Sequence, residues 1–214
     1  MKLGEIKLEA LYLCFATPEL CIDTENDEIL ADTLFSLKND SNYKDYLNAS
    51  VGAVNRCFAY LEASGLVPEK TLTVRKNEVI LKENVHVLDL SAHWDEIFSV
   101  KGVLAEDNPA CPAEYTCIDG KIRISGFTFP RNYTVIYTPR IPRVFHSTEE
   151  SYKIPLPEEI SNIIPYFVKG DIFRTDDSAE AEKSMEFFVQ ACRELGENRT
   201  QSPAFLRCVY SMEG

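Results

Sequence analysis

Hydrophobic positions along the chain change their period twice. Leu8, Leu11, Tyr12 and Phe15 fall at i, i+3, i+4 and i+7, one face of a helix, and Pro18 closes that segment. Thr24 is the expected N-cap of a second, shorter helix, with Asp27 and Glu28 in its first turn and Leu30, Leu34 and Leu37 as its buried stripe. A longer helix is expected from about Asn42. There Leu47, Val51, Val54, Phe58 and Leu61 alternate steps of four and three, a seam suited to antiparallel neighbours. Gly65 is its expected C-cap, and Pro68 ends the segment.

The period then drops to two. Thr71–Arg75 alternates, Lys76-Asn77 makes a turn, and Val79 and Leu81 follow on the expected return strand. Val85 and Val87 continue the pattern, and a strand is expected over Ile97–Leu104. Asp119-Gly120, between Tyr115–Ile118 and Lys121–Ile124, is the strongest hairpin signal in the chain, and Thr134–Thr138 supplies another strand. Five to seven such strands predict a small antiparallel sandwich or barrel.

Helical spacing returns after Pro155-Leu156-Pro157-Glu158-Glu159, a rigid, acidic helix start. Ile160, Ile163, Ile164 and Phe167 recur at helical steps, with Pro165 imposing a kink or break. Asp176-Asp177-Ser178 marks the next N-terminus. Ala181, Met185, Phe188, Cys192 and Leu195 form its seam, and Gly196 is its expected end. The predicted fold class is α+β, a helical bundle of N- and C-terminal helices packed together with an inserted small antiparallel β domain. Its parts are helices in 1–67, the β insertion at 68–145, helices in 146–196 and a C-terminal arm at 197–214.

Charge follows the same division. Residues 1–67 and 146–214 each carry a net −6, whereas 68–145 is neutral, giving −12 for the 214 residues. Such a balance argues against gripping phosphate backbones over a broad face. It suits a soluble protein or a member of a crowded assembly. No secretion signal opens the chain, and no window holds eighteen uncharged apolar residues, so no membrane span is expected. Seven cysteines, odd in number and scattered, without CxxC, predict reduced thiols rather than a disulfide framework.

Catalytic chemistry finds little footing. GxSxG, Walker A, GxGxxG and HExxH are all absent. His86 reads as a surface or edge residue of a strand, His93 as a loop residue, and His146, beside Ser147 and Glu149, lacks the separate elements that a triad needs. Cys111 and Cys117 stand five apart among expected loop residues, a poor zinc pattern. Asp176, Asp177, Glu180 and Glu182 read as an acidic helix start, without the glycine-centred calcium loop. Arg131, Arg140 and Arg143 with Tyr133 and Tyr137 make the nearest thing to a basic aromatic patch, and an ordinary sheet surface explains it. No catalytic residue, metal site or cofactor is expected. Phe205, Leu206, Val209 and Tyr210 stand apart as a short apolar face, suited to a partner groove or to packing on the chain's own helices.

One resemblance runs through nearly the whole chain. Leu156-Pro157-Glu158-Glu159-Ile160, then Ile163-Ile164-Pro165-Tyr166-Phe167-Val168-Lys169-Gly170-Asp171-Ile172-Phe173, then Asp176-Asp177 and a second amphipathic helix over Ala179–Leu195, resembles the head–tail connector (adaptor) proteins of tailed bacteriophages. Leu11-Tyr12-Leu13-Cys14-Phe15-Ala16, the Tyr43–Leu61 helix and Trp94-Asp95-Glu96-Ile97-Phe98-Ser99-Val100 are similar to earlier parts of that family. The resemblance implies a structural, non-enzymatic virion protein made in the host cytoplasm. Its ring, of twelve subunits, would join portal to tail and extend the channel through which double-stranded DNA passes unbound. It also implies that Phe205, Leu206, Val209 and Tyr210 form an arm reaching the portal. The neutral β part offers no residue matching a specific family contact. Another head- or tail-completion protein, a cytosolic peptide-binding module and a small enzyme using His146 or Cys117 remain the alternatives.

Overall fold

Residues 1–17, 20, 26–82, 84–126, 129 and 131–200 are described by a computed structural model of the chain. They combine helices with two antiparallel sheets and divide into two compact units. One holds Met1–Leu66 and Pro142–Thr200, the other Val67–Ile141.

The helical unit begins with α1 (Leu3–Phe15), which packs against α2 (Asp27–Asn39), α3 (Lys44–Ser64) and α5 (Ile164–Ile172). Neighbours on several sides widen its buried arc beyond one face. Leu3, Ile6, Leu8, Ala10 and Leu11 are buried, while Tyr12, expected inside, is 39% exposed. The helix stops at a left-handed Ala16, whose N–H donates to the Tyr12 carbonyl, ahead of Pro18. Pro18 and Thr24 lie outside the described residues. The cap of α2 is Asn26, whose side-chain oxygen accepts from the Glu28 and Ile29 N–H groups at 3.0 and 3.3 Å. Leu30, Leu34 and Leu37 are its buried stripe, as the periodicity predicts. All five seam residues of α3 are buried, and Gly65, at φ 75°, ends it.

The apolar run after Pro157 breaks in two, into α4 (Glu158–Ser161) and α5. Pro165 sits in the first turn of α5, where a missing N–H breaks no intrahelical bond. In α6 (Ser178–Thr200), the Asp177 carboxylate accepts from the Glu180 N–H at 3.0 Å. Phe188 of α6 packs edge-on against Phe167 of α5 (5.1 Å) and Tyr60 of α3 (5.3 Å). The expected stop at Gly196 does not occur: α6 continues to Thr200. A glycine stop needs left-handed backbone, and among the described residues only Gly65, Gly120 and Gly126 are glycines of positive φ.

An irregular strap over residues 142–157 closes this unit. The Asn55 amide pairs with the Val144 backbone in both directions, at 2.7 and 3.0 Å. Arg143 donates to the buried Glu62 carboxylate at 2.7 Å. Further on, the Leu3 and Gly4 N–H groups donate to the Tyr152 and Glu150 carbonyls, both at 2.9 Å. The Glu150 carboxylate takes both the buried Lys7 ammonium (2.8 Å) and Lys38 (2.9 Å). A charge as buried as Lys7 is tolerated only with such a partner.

The β unit contains β1 (Lys70–Val74), β2 (Ile80–Lys82), β3 (Val85–Asp89), β4 (Ile97–Ala105), β5 (Asn108–Pro112), β6 (Tyr115–Ile118), β7 (Lys121–Ser125) and β8 (Tyr133–Pro139). The sheet orders are β1-β8-β4-β5 and β2-β3-β7-β6. Val74, Val103, Tyr133 and Val135 of the first share one core with Leu88, Ile122 and Ile124 of the second. The expected β1–β2 hairpin is not formed, because β1 pairs with β8 and β2 with β3. Lys76-Asn77 does reverse the chain, with the Glu78 N–H donating to the Arg75 carbonyl at 2.9 Å. The Lys76 N–H also donates to the Asn132 side chain (2.8 Å), which ties this turn to the start of β8 and sends the chain on to the other sheet. Asp119-Gly120 forms the predicted β6–β7 turn, with φ of 50° and 72°. Cys111 and Cys117 stand in β5 and β6, not in loops.

Candidate functional site

The arm residues Phe205, Leu206, Val209 and Tyr210 lie outside the described residues. The other singled-out residues stand in different elements. His93 is exposed in a 3-10 turn (Ser91–Glu96), and His146 is exposed in the strap. The Cys117 thiol is pushed up by burial, the opposite of what an activated nucleophile needs. Glu180 is held low by hydrogen bonds from Lys183 and Lys169, which makes it a helix-start ion pair. Among the described residues no group of three His, Cys, Asp or Glu side chains could hold a metal ion.

The basic aromatic patch does not assemble. Tyr133 is fully buried, Arg131 pairs with Asp107 at 2.9 Å, Arg140 stands 5.9 Å from the Phe98 ring centre, and Arg143 belongs to the helical unit on Glu62.

His86 is the largest departure from expectation. It is not a surface residue but is fully buried, on β3 between β2 and β7. In β3 it is His86 and Leu88 that face the core, while Val85 and Val87 are half-exposed. Apolar residues on both sides of this strand hide which side is inward. Nδ1 of His86 lies 2.6 Å from the Tyr133 hydroxyl on β8, a polar link between the two sheets. Burial holds the His86 pKa low, with Arg131 acting in the same direction, and pushes Tyr133 up to about 12. Sealed from water, the pair joins the sheets and presents nothing to a substrate.

The opposite face of the same sheet is open and chemically distinct. Pairing sets Ile80 beside Val87, Lys82 beside Val85, Val87 beside Arg123, and Ile118 beside Lys121. Alternation then places Lys82, Lys121 and Arg123 around an apolar floor of Ile80, Val85 and Val87, which line a groove of about 340 Å³. Ile80 and Ile118 are 46% and 51% exposed. Among the described residues of these strands one acid shares the face: Asp89, 3.7 Å from Lys121. Its carboxyl is held low chiefly by hydrogen bonds from Ser91, so the 3-10 turn already engages it. That turn also fixes the hairpin. The Leu90 N–H donates to the Gly120 carbonyl at 2.9 Å, and Trp94 lies against Gly120. Sequence inspection misses this face because residue 82 lies some forty positions from 121 and 123, and only β3–β7 pairing unites them.

No protein-family model and no curated protein matches the sequence. No helix among the described residues is long and apolar enough to cross a membrane.

Proposed function

We propose that the protein is a head–tail adaptor of a tailed bacteriophage, a structural virion subunit. In this role it forms a ring of twelve between portal and tail and prolongs the DNA channel. The supporting observation is the order of elements along the chain: three helices, an antiparallel β insertion, a short proline-led helix, a break before Pro165, an acidic turn and a long amphipathic helix. On this basis the N- and C-terminal helices pack together as a bundle, with the β unit as its insertion. The arm of Phe205, Leu206, Val209 and Tyr210 docks on the portal. Acids from the two helical segments, each of net −6, line the channel, where they repel phosphates so that the duplex slides without sticking.

The test is native mass with electron-microscope class averages, for the protein alone and with portal. A closed ring of twelve 24.3-kDa chains has a mass of about 290 kDa. A protein still monomeric beside portal overturns the assignment.

A further inference from the structure

The cationic sheet face of the β unit has a chemical complement elsewhere in the same sequence. On α6, Glu182, Met185, Glu186, Val189, Gln190 and Arg193 line a shallow groove of about 500 Å³. Glu182 and Glu186 are exposed and one helical turn apart, flanked by the half-buried Met185 and Val189. The sheet face presents the inverse balance: three cations and the acid Asp89 around Ile80, Val85 and Val87, against two acids and Arg193 on α6. Both surfaces mix charge with apolar area, as the core and rim of a protein interface do.

We propose that the β2-β3-β7-β6 face of one copy docks on the Glu182–Arg193 surface of α6 in a second copy. Two different patches meet in such a contact, so it is heterologous and propagates head to tail. That is the kind of interface from which a ring closes. The occupant is chosen by chemistry. A nucleic-acid strand supplies phosphates for Lys82, Lys121 and Arg123 but leaves the isoleucine and valine floor wet. An acidic amphipathic helix satisfies cations and floor together. The proposal rests on the adaptor assignment for its ring, but its test needs no portal.

Two variants of the full chain separate the faces. One carries Lys82→Glu, Lys121→Glu and Arg123→Glu; the other carries Glu182→Lys and Glu186→Lys. Sedimentation over a concentration series, in low and high salt, reads self-association, and circular dichroism confirms folding. Wild type is expected to self-associate, more tightly in low salt. Each variant alone is expected to associate at least about tenfold more weakly, through like-charge contact. An equimolar mixture of the two is expected to recover association, because the reversed faces complement each other. Should the triple reversal disturb folding, Lys82→Gln with Arg123→Gln is expected to weaken association in the same direction. A wild type monomeric at every concentration, or association indifferent to the variants, overturns the interface. Absence of a portal-bound ring, by contrast, bears on the adaptor assignment alone.

Discussion

His86 and Tyr133 carry a definite acid sensitivity. Burial lowers the imidazole pKa in the folded state and so favours its neutral form. In the unfolded chain it titrates near its ordinary value of about 6.5. As pH falls, the unfolded state therefore takes up the proton first. The stability due to neutral His86 is complete above that value and is lost as pH falls below it toward the folded pKa. Thermal melts between about pH 8 and pH 5 should show a fall in Tm that is shallower in the double variant His86→Leu/Tyr133→Phe, which removes both polar partners together. Equal slopes would assign the acid sensitivity to other groups. Tyr133→Phe alone should cost about 1 kcal/mol, the worth of one internal hydrogen bond.

Glycines make a paired test among the elements. Gly65 ends α3 at φ 75° with nothing within 4 Å of an added Cβ, so Gly65→Ala should destabilise by about 1 kcal/mol through backbone strain alone. Gly196 lies within α6, where an added Cβ meets Leu66 at an ordinary 3.9 Å. Gly196→Ala should therefore stabilise, by up to about 1 kcal/mol, and urea titration checks both signs. The same pair shows what the sequence can and cannot tell. A glycine after an apolar seam marks a helix end only if the backbone there turns left-handed, which Gly65 does and Gly196 does not. The α2 and α3 stripes and the Asp119-Gly120 turn were legible because each depends on local spacing or turn chemistry. Partner choice was not: Lys76-Asn77 announces a reversal, but pairing with β8 is decided some sixty residues later. The candidate sheet face was illegible for that same reason, and the inward side of β3 because Val85, Val87 and Leu88 are all apolar.

At the scale of the whole molecule, the proposed division of labour predicts separable losses. Deleting 201–214 should leave the melting behaviour intact while abolishing capture by portal in a pull-down. Undiminished capture would remove the arm from that role. Leu3 and Gly4 bond to Tyr152 and Glu150, and α1 and α3 pack on α5, so during synthesis α1–α3 have one another but lack the strap and α5 until some hundred more residues have been made. The β unit, contiguous from Val67 to Ile141, is whole before them. During translation the last-begun unit is thus the first to finish. The apolar seam of α3 must meanwhile be shielded by nascent-chain collapse or by a chaperone.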